Sequence, residues 1–174
     1  MKAVAWAVTW LTKLSLYAAA LIGAVMSTIV FVAVALRYVF HSPLPFTDEI
    51  VGLFFSAVVF LAIPYLFAGD RNIKVAMVVE RLSPRWRSGV QFFSNLGIIV
   101  FFLLLGWLSF DFAAFSFAIS ARTDVAQLPV GPWMALLPLS SFLTALVVLV
   151  KTAFAPFGVE VGERQERLEE TLSE

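Results

Sequence analysis

Residues 37–55 read RYVFHSPLPFTDEIVGLFF, and they set Arg37, His41, Asp48 and Glu49 between two long apolar runs. Pro43 and Pro45 cannot continue a helix and fix an extended turn. Asp48 and Glu49 then fall in the first turn of whatever helix follows, where carboxylates complement the exposed amides, and Thr47 stands where an N-cap is wanted. The stretch therefore predicts two helices joined by a short, stiff connection. Within it, Arg37 is placed to pair with Glu49 or with Asp48.

The flanking runs give the helices their setting. Of 174 residues, 61% are hydrophobic and 14% charged, against about 45–50% and about 25% for a soluble domain. The mean hydropathy is +0.93, which points to a membrane. Spanning about 30 Å of hydrocarbon takes about 20 helical residues, and four runs suffice: Leu14–Leu36, Glu49–Ala68, Val90–Ala118 and Trp133–Phe154. In lipid every backbone amide must be bonded within its own segment, so these runs are expected to be helices despite their many Val, Ile and Phe residues. The fold class is all-α, a polytopic membrane protein with four transmembrane helices. Its organisation reads as an N-terminal interfacial segment over 1–13, a four-helix membrane domain over 14–154, and a charged tail over 155–174.

An N-terminal signal peptide is the competing reading of the first run, with Ala18-Ala19-Ala20 as its cleavage site. Lys13 interrupts that run and apolar sequence continues to Leu36, so a retained span is expected. With the N-terminus inside, Lys2, Lys13, Arg71, Lys74, Arg81, Arg85, Arg87, Lys151, Arg164 and Arg167 all lie on the cytoplasmic side, leaving Arg37 and Arg122 outside. Basic residues favour the cytoplasmic side, so both termini are expected there.

Charges elsewhere are read by position. Trp6, Trp10 and Lys13 form an interfacial belt ahead of the first span. NIKVAMVVERLSPRWR, with Lys74, Arg81, Arg85 and Arg87, reads either as an amphipathic helix on the lipid headgroups or as a solvated basic loop. Lys151 is placed to snorkel to the interface. Pro64 and Pro138 lie inside spans, where each frees a carbonyl and kinks its helix near one end. Asp111 is the one acid inside a long apolar run. Counted from Val90 at 1.5 Å per residue, it comes out about 31 Å along, near the outer interface.

Several functions drop out. Lys+Arg and Asp+Glu are equal at 12 each, so no basic excess suggests nucleic acid. Without cysteine and with a single histidine, His41, the chain offers no thiolate site and no His pair for haem or zinc. No cofactor is expected in this chain, and no catalytic residue. Small residues at Gly23, Ser27, Gly52 and Ser56 suit helix packing, which favours an accessory subunit over a pump.

Four features in order resemble one family: RYVFHSPLPFTDEI after the first span, GDRNIKVAMVVERLSPRWR after the second, QLPVGPWMALLPLS opening the fourth, and four spans over most of the chain. Together they resemble the small membrane subunit of tripartite ATP-independent periplasmic (TRAP) transporters. Phe46 stands where that family more often has Trp, Asp48 where it has the first of a Glu pair, and Arg71-Asn72 where it has Gly-His. The resemblance implies a bacterial inner-membrane protein, a non-catalytic scaffold partner of a large TRAP membrane subunit. That large subunit would carry solute and sodium, and a periplasmic solute-binding protein would deliver an organic acid or related solute. Membrane lipids complete the expected partners, and Arg37, Pro43, Pro45, Asp48 and Glu49 would hold the outer hairpin or dock a partner there. A membrane anchor of a respiratory enzyme and a small autonomous exporter are the alternatives.

Overall fold

The computed structural model describes residues 2–42, 44–69 and 84–154. Among the described residues four α-helices follow one another: α1 (Lys2–Tyr38), α2 (Thr47–Ala68), α3 (Pro84–Ala118) and α4 (Gly131–Phe154). Each is long and apolar enough to cross a membrane. No β-strand forms among the described residues, only one isolated antiparallel bridge between Arg122 and Pro129.

The dominant contacts run α1 against α2, α2 against α4, and α4 against α3, so α2 and α4 are central. Burial agrees: 44% of the membrane-spanning window of α4 is enclosed and only 6% of that of α1. Most of what is buried between the helices is small. Ala57, Ala68, Ser140, Ser141, Thr144, Ala145 and Val147 are buried, while the large aromatics Tyr17, Phe31, Phe93, Trp107 and Phe110 point outward. Lipid tails are as apolar as Leu, so membrane helices associate through close packing of small residues, not through burial of large ones.

Two glycines permit the closest approaches. A Cβ at Gly106 would stand 3.0 Å from the Phe142 ring, and one at Gly131 would stand 2.8 Å from the Phe117 ring. These contacts, with the Asn95 amide donating to the Thr152 hydroxyl at 3.0 Å, fix α3 antiparallel to α4. Phe54 on Trp133, with ring centroids 5.1 Å apart, and the Ser140 hydroxyl bonded to the Phe60 carbonyl set α2 parallel to α4.

Helix lengths are unequal. α2 has 22 residues and α4 has 24, but α1 has 37 and α3 has 35. At 1.5 Å per residue α2 is about 33 Å long, a match to the hydrocarbon, and α1 is about 55 Å. The belt residues Trp6, Trp10 and Lys13 are therefore turns of one continuous helix with the first span. Pro84 opens α3 at its first position, where the missing amide costs no helical bond.

Candidate functional site

Besides the Asn95–Thr152 pair, polar contacts among the described residues stand out at two places. One is the bundle end that carries the α1–α2 turn and the α3–α4 connection, called here the connection end. The other is a cluster around Pro64.

At the connection end the decisive side chain is Glu49, in the first turn of α2. Its Oε1 accepts the Val125 amide and its Oε2 the Ala126 amide, both at 2.8 Å. The connection is shaped to offer those amides. α3 closes with the Ala121 amide on the Ser116 carbonyl and the Ser120 amide on the Phe117 carbonyl, with Ser120 at φ 48°. That is a Schellman cap with serine in the left-handed position glycine usually takes. The chain then pairs with itself: the Val130 amide bonds the Ala121 carbonyl, and the Thr123 amide bonds the Leu128 carbonyl. The Leu128 amide donates to the Thr123 hydroxyl at 3.1 Å, and the Arg122 guanidinium to the Gln127 carbonyl at 3.3 Å. Gln127, at φ 54°, closes the four-residue tip. Two successive amides at this tip face the carboxylate, an anion-binding concavity filled from within.

The pairing of Arg37 with Glu49 or Asp48 does not form. Among the described residues Glu49 bonds the far connection, while Arg37 and Asp48 are exposed without an ion-pair partner. Bidentate acceptance of two preorganised amides satisfies both carboxylate oxygens, and Arg37, on the last turn of α1, is left to solvent or partners. Thr47 is not the N-cap either. The cap position is Phe46, without a side-chain cap, and the Thr47 hydroxyl donates to the Leu44 carbonyl at 3.0 Å. It thereby ties the turn together instead of serving the helix amides. His41 is exposed at φ 53°, a turn role. Pro45 sits exposed in the turn, and Pro43 lies outside the described residues.

The second cluster rests on Pro64, buried inside α2. A helical proline leaves the carbonyl four residues back without its amide, here that of Phe60. The Ser140 hydroxyl of α4 donates to it, and the Ser15 hydroxyl of α1 donates to the adjacent Leu61 carbonyl. The turn of α2 before Pro64 thus takes hydroxyl bonds from both neighbouring helices, the one from Ser140 on the carbonyl that Pro64 frees. Pro138 is buried within α4. The sequence marked both prolines but not the serines that bond the turn before Pro64, because serines 49 and 76 positions from Pro64 give no local signal.

Trp6 and Trp10 are exposed, with tilted rings 5.9 Å apart, while Lys13 and Lys151 are half-buried. Arg85 and Arg87 belong to the first turns of α3 with side chains outside the described set, as are Lys74, Arg81 and the 155–174 tail. No group of three His, Asp or Glu gathers to hold a metal among the described residues.

Asp111 requires a correction. Phe102 meets Phe67 edge-on at 5.2 Å. Asp111 lies nine residues onward from Phe102 and Val58 nine residues back from Phe67, so the two are level. Val58 is at the middle of α2. The route through Gly106–Phe142 and Ser140–Phe60 gives the same level. Counting from Val90 misplaced Asp111 because the early turns of α3 run past the end of α2.

Residues 26–155 match the model of the DctQ component of tripartite ATP-independent periplasmic transporters. The chain belongs to that family. It is also 27% identical over 143 residues to a Haemophilus influenzae protein named "Putative TRAP transporter small permease protein", across 80% of this chain and 86% of the relative. The TRAP small subunit is therefore a multi-pass membrane protein, with four helices among the described residues long and apolar enough to span. The family match takes in the Glu49 latch, Pro64 with Ser140, and Asp111, and begins after Trp6, Trp10, Lys13 and Ser15.

Proposed function

We propose that this TRAP small subunit is a non-catalytic scaffold of the inner membrane, paired with a large TRAP membrane subunit that carries the solute and the coupling cation. A periplasmic binding protein delivers the solute, an organic acid or a related compound. Sodium sites belong to the large subunit. The connection end faces the periplasm, and both termini face the cytoplasm, as the basic residues favour.

The observation that carries this reading is the match to the transporter family across residues 26–155. The geometry agrees with it. Among the described residues no buried side-chain polar atom lacks a partner, the interhelical polar groups serve to fasten helices together, and Asp111 has no second ionisable group beside it with which to form a pathway. A frame suits such a chain better than a carrier.

Reconstitution tests the proposal. In proteoliposomes the small subunit with the large subunit and the binding protein takes up solute down a cation gradient. The small subunit alone takes up none. Uptake by the isolated chain would overturn the scaffold role.

A further inference from the structure

From the depth and exposure of Asp111 we infer that its face of α3 docks a transmembrane helix of the large subunit, and that this helix presents a hydrogen-bond-donating side chain to the carboxyl group. The inference rests on the proposed pairing and names the surface that makes it.

Asp111 is level with the middle of α2, about 15 Å from either end of that helix. It is exposed, with no hydrogen-bond or ion-pair partner among the described residues. Ionisable groups within a membrane face a bundle interior or an aqueous cavity and are paired there, because hydrocarbon offers them no hydrogen bond. In this chain the carboxyl group faces outward. Its helical neighbours are Trp107, Leu108, Ala114 and Phe115 one turn away and Leu104 two turns away; Leu104, Trp107, Leu108 and Phe115 are 58%, 70%, 65% and 58% exposed. Ala114 beside the bulky residues leaves a low spot next to the carboxyl group for another helix to approach. A lipid tail fits the apolar part of this stripe and cannot answer Asp111; a polar side chain on a packed helix does both.

A second copy of this chain is a poor occupant. A two-fold contact through this face would set Asp111 against itself. The described cations of the chain, Lys13, Arg37, Arg122 and Lys151, lie at other levels of the bundle. A different protein, one that crosses the membrane, supplies the donor.

The test uses the full chain co-expressed with the large subunit. The photocrosslinker benzoylphenylalanine is placed at Leu108, and at Phe31 of α1 as a control. Irradiation of native membranes is expected to join Leu108 to the large subunit. Adducts at Leu108 with lipid alone or with a second small subunit, while the two wild-type subunits still co-purify, overturn the docking face but leave the pairing standing. Failure of the wild-type subunits to co-purify removes the pairing itself, and the docking face with it. Asp111→Leu is expected to lower recovery of the large subunit about tenfold, whereas Asp111→Asn, which still hydrogen-bonds, keeps most of it. Unchanged recovery with Asp111→Leu overturns the role of the carboxyl group. A size-exclusion profile of each variant subunit like that of wild type shows that the bundle itself has survived.

Discussion

Glu49 and Ala126 are 77 positions apart, and a single 2.8 Å hydrogen bond joins the Glu49 carboxylate to the Ala126 amide. With its twin to Val125 it ties the first turn of α2 to the tip between α3 and α4. One side chain therefore couples the two connections at this end of the bundle. Without it the tip would keep its internal bonds but lose its anchor to α2.

Glu49→Ala is expected to lower the Tm of the detergent-solubilised subunit and to speed hydrogen exchange at the Val125 and Ala126 amides. Glu49→Gln should do less harm, since its amide oxygen still accepts one bond but without charge assistance. Arg37→Ala, at an exposed position with no ion pair to Glu49, should leave that exchange unchanged. If Arg37→Ala loosens the two amides as much as Glu49→Ala does, the latch is wrongly assigned.

The Pro64 cluster gives a coupled prediction. Ser140→Ala leaves the Phe60 carbonyl unanswered and should cost about 0.5–1.5 kcal/mol of stability, the range for one hydrogen bond. In a Pro64→Ala background an amide within α2 reaches that carbonyl, so the same substitution should cost distinctly less. Equal costs in the two backgrounds, measured by unfolding in mixed micelles, would mean that the serine and the proline act independently.

The four spans were legible because hydrophobic length is a local property, and Pro43 and Pro45 marked where the first pair is joined. Thr47 shows where local reading misled: its residue type suits an N-cap, yet its hydroxyl is drawn back to Leu44 by the turn before it. The partner of Glu49 was hidden for another reason. Backbone amides carry no residue identity, so nothing in the letters at 125 and 126 says that their N–H groups face a carboxylate. Arg37 was the visible cation, and sequence reasoning favours visible charges. The depth of Asp111 failed because hydropathy does not tell how far a helix protrudes beyond its neighbours.

Gly131 is a position where shape decides. A methyl group there would meet the Phe117 ring at 2.8 Å, closer than two carbons tolerate, and the clash includes the ring atom nearest the backbone. Gly131→Ala should destabilise the bundle by about 1–3 kcal/mol, the usual cost of overpacking. Phe117→Ala, which costs something alone, should relieve most of the clash when combined with it. A double variant as unstable as the two losses added together would show that Gly131 is needed for its backbone and not for space.

Topology can be read directly because the chain contains no cysteine, so a single introduced thiol reports alone. Gln127 is exposed at the connection end, and Val4 is 49% exposed near the start of α1. With the basic residues inside, Gln127→Cys should react with a membrane-impermeant maleimide added to intact spheroplasts, and Val4→Cys only after the membrane is opened. The latch variant adds a second reading: freeing the tip from α2 in Glu49→Ala should raise the labelling rate at Gln127→Cys and leave that at Val4→Cys as it was. Labelling of Val4→Cys in sealed spheroplasts would reverse the orientation and place the Glu49 latch on the cytoplasmic side, away from any periplasmic binding protein.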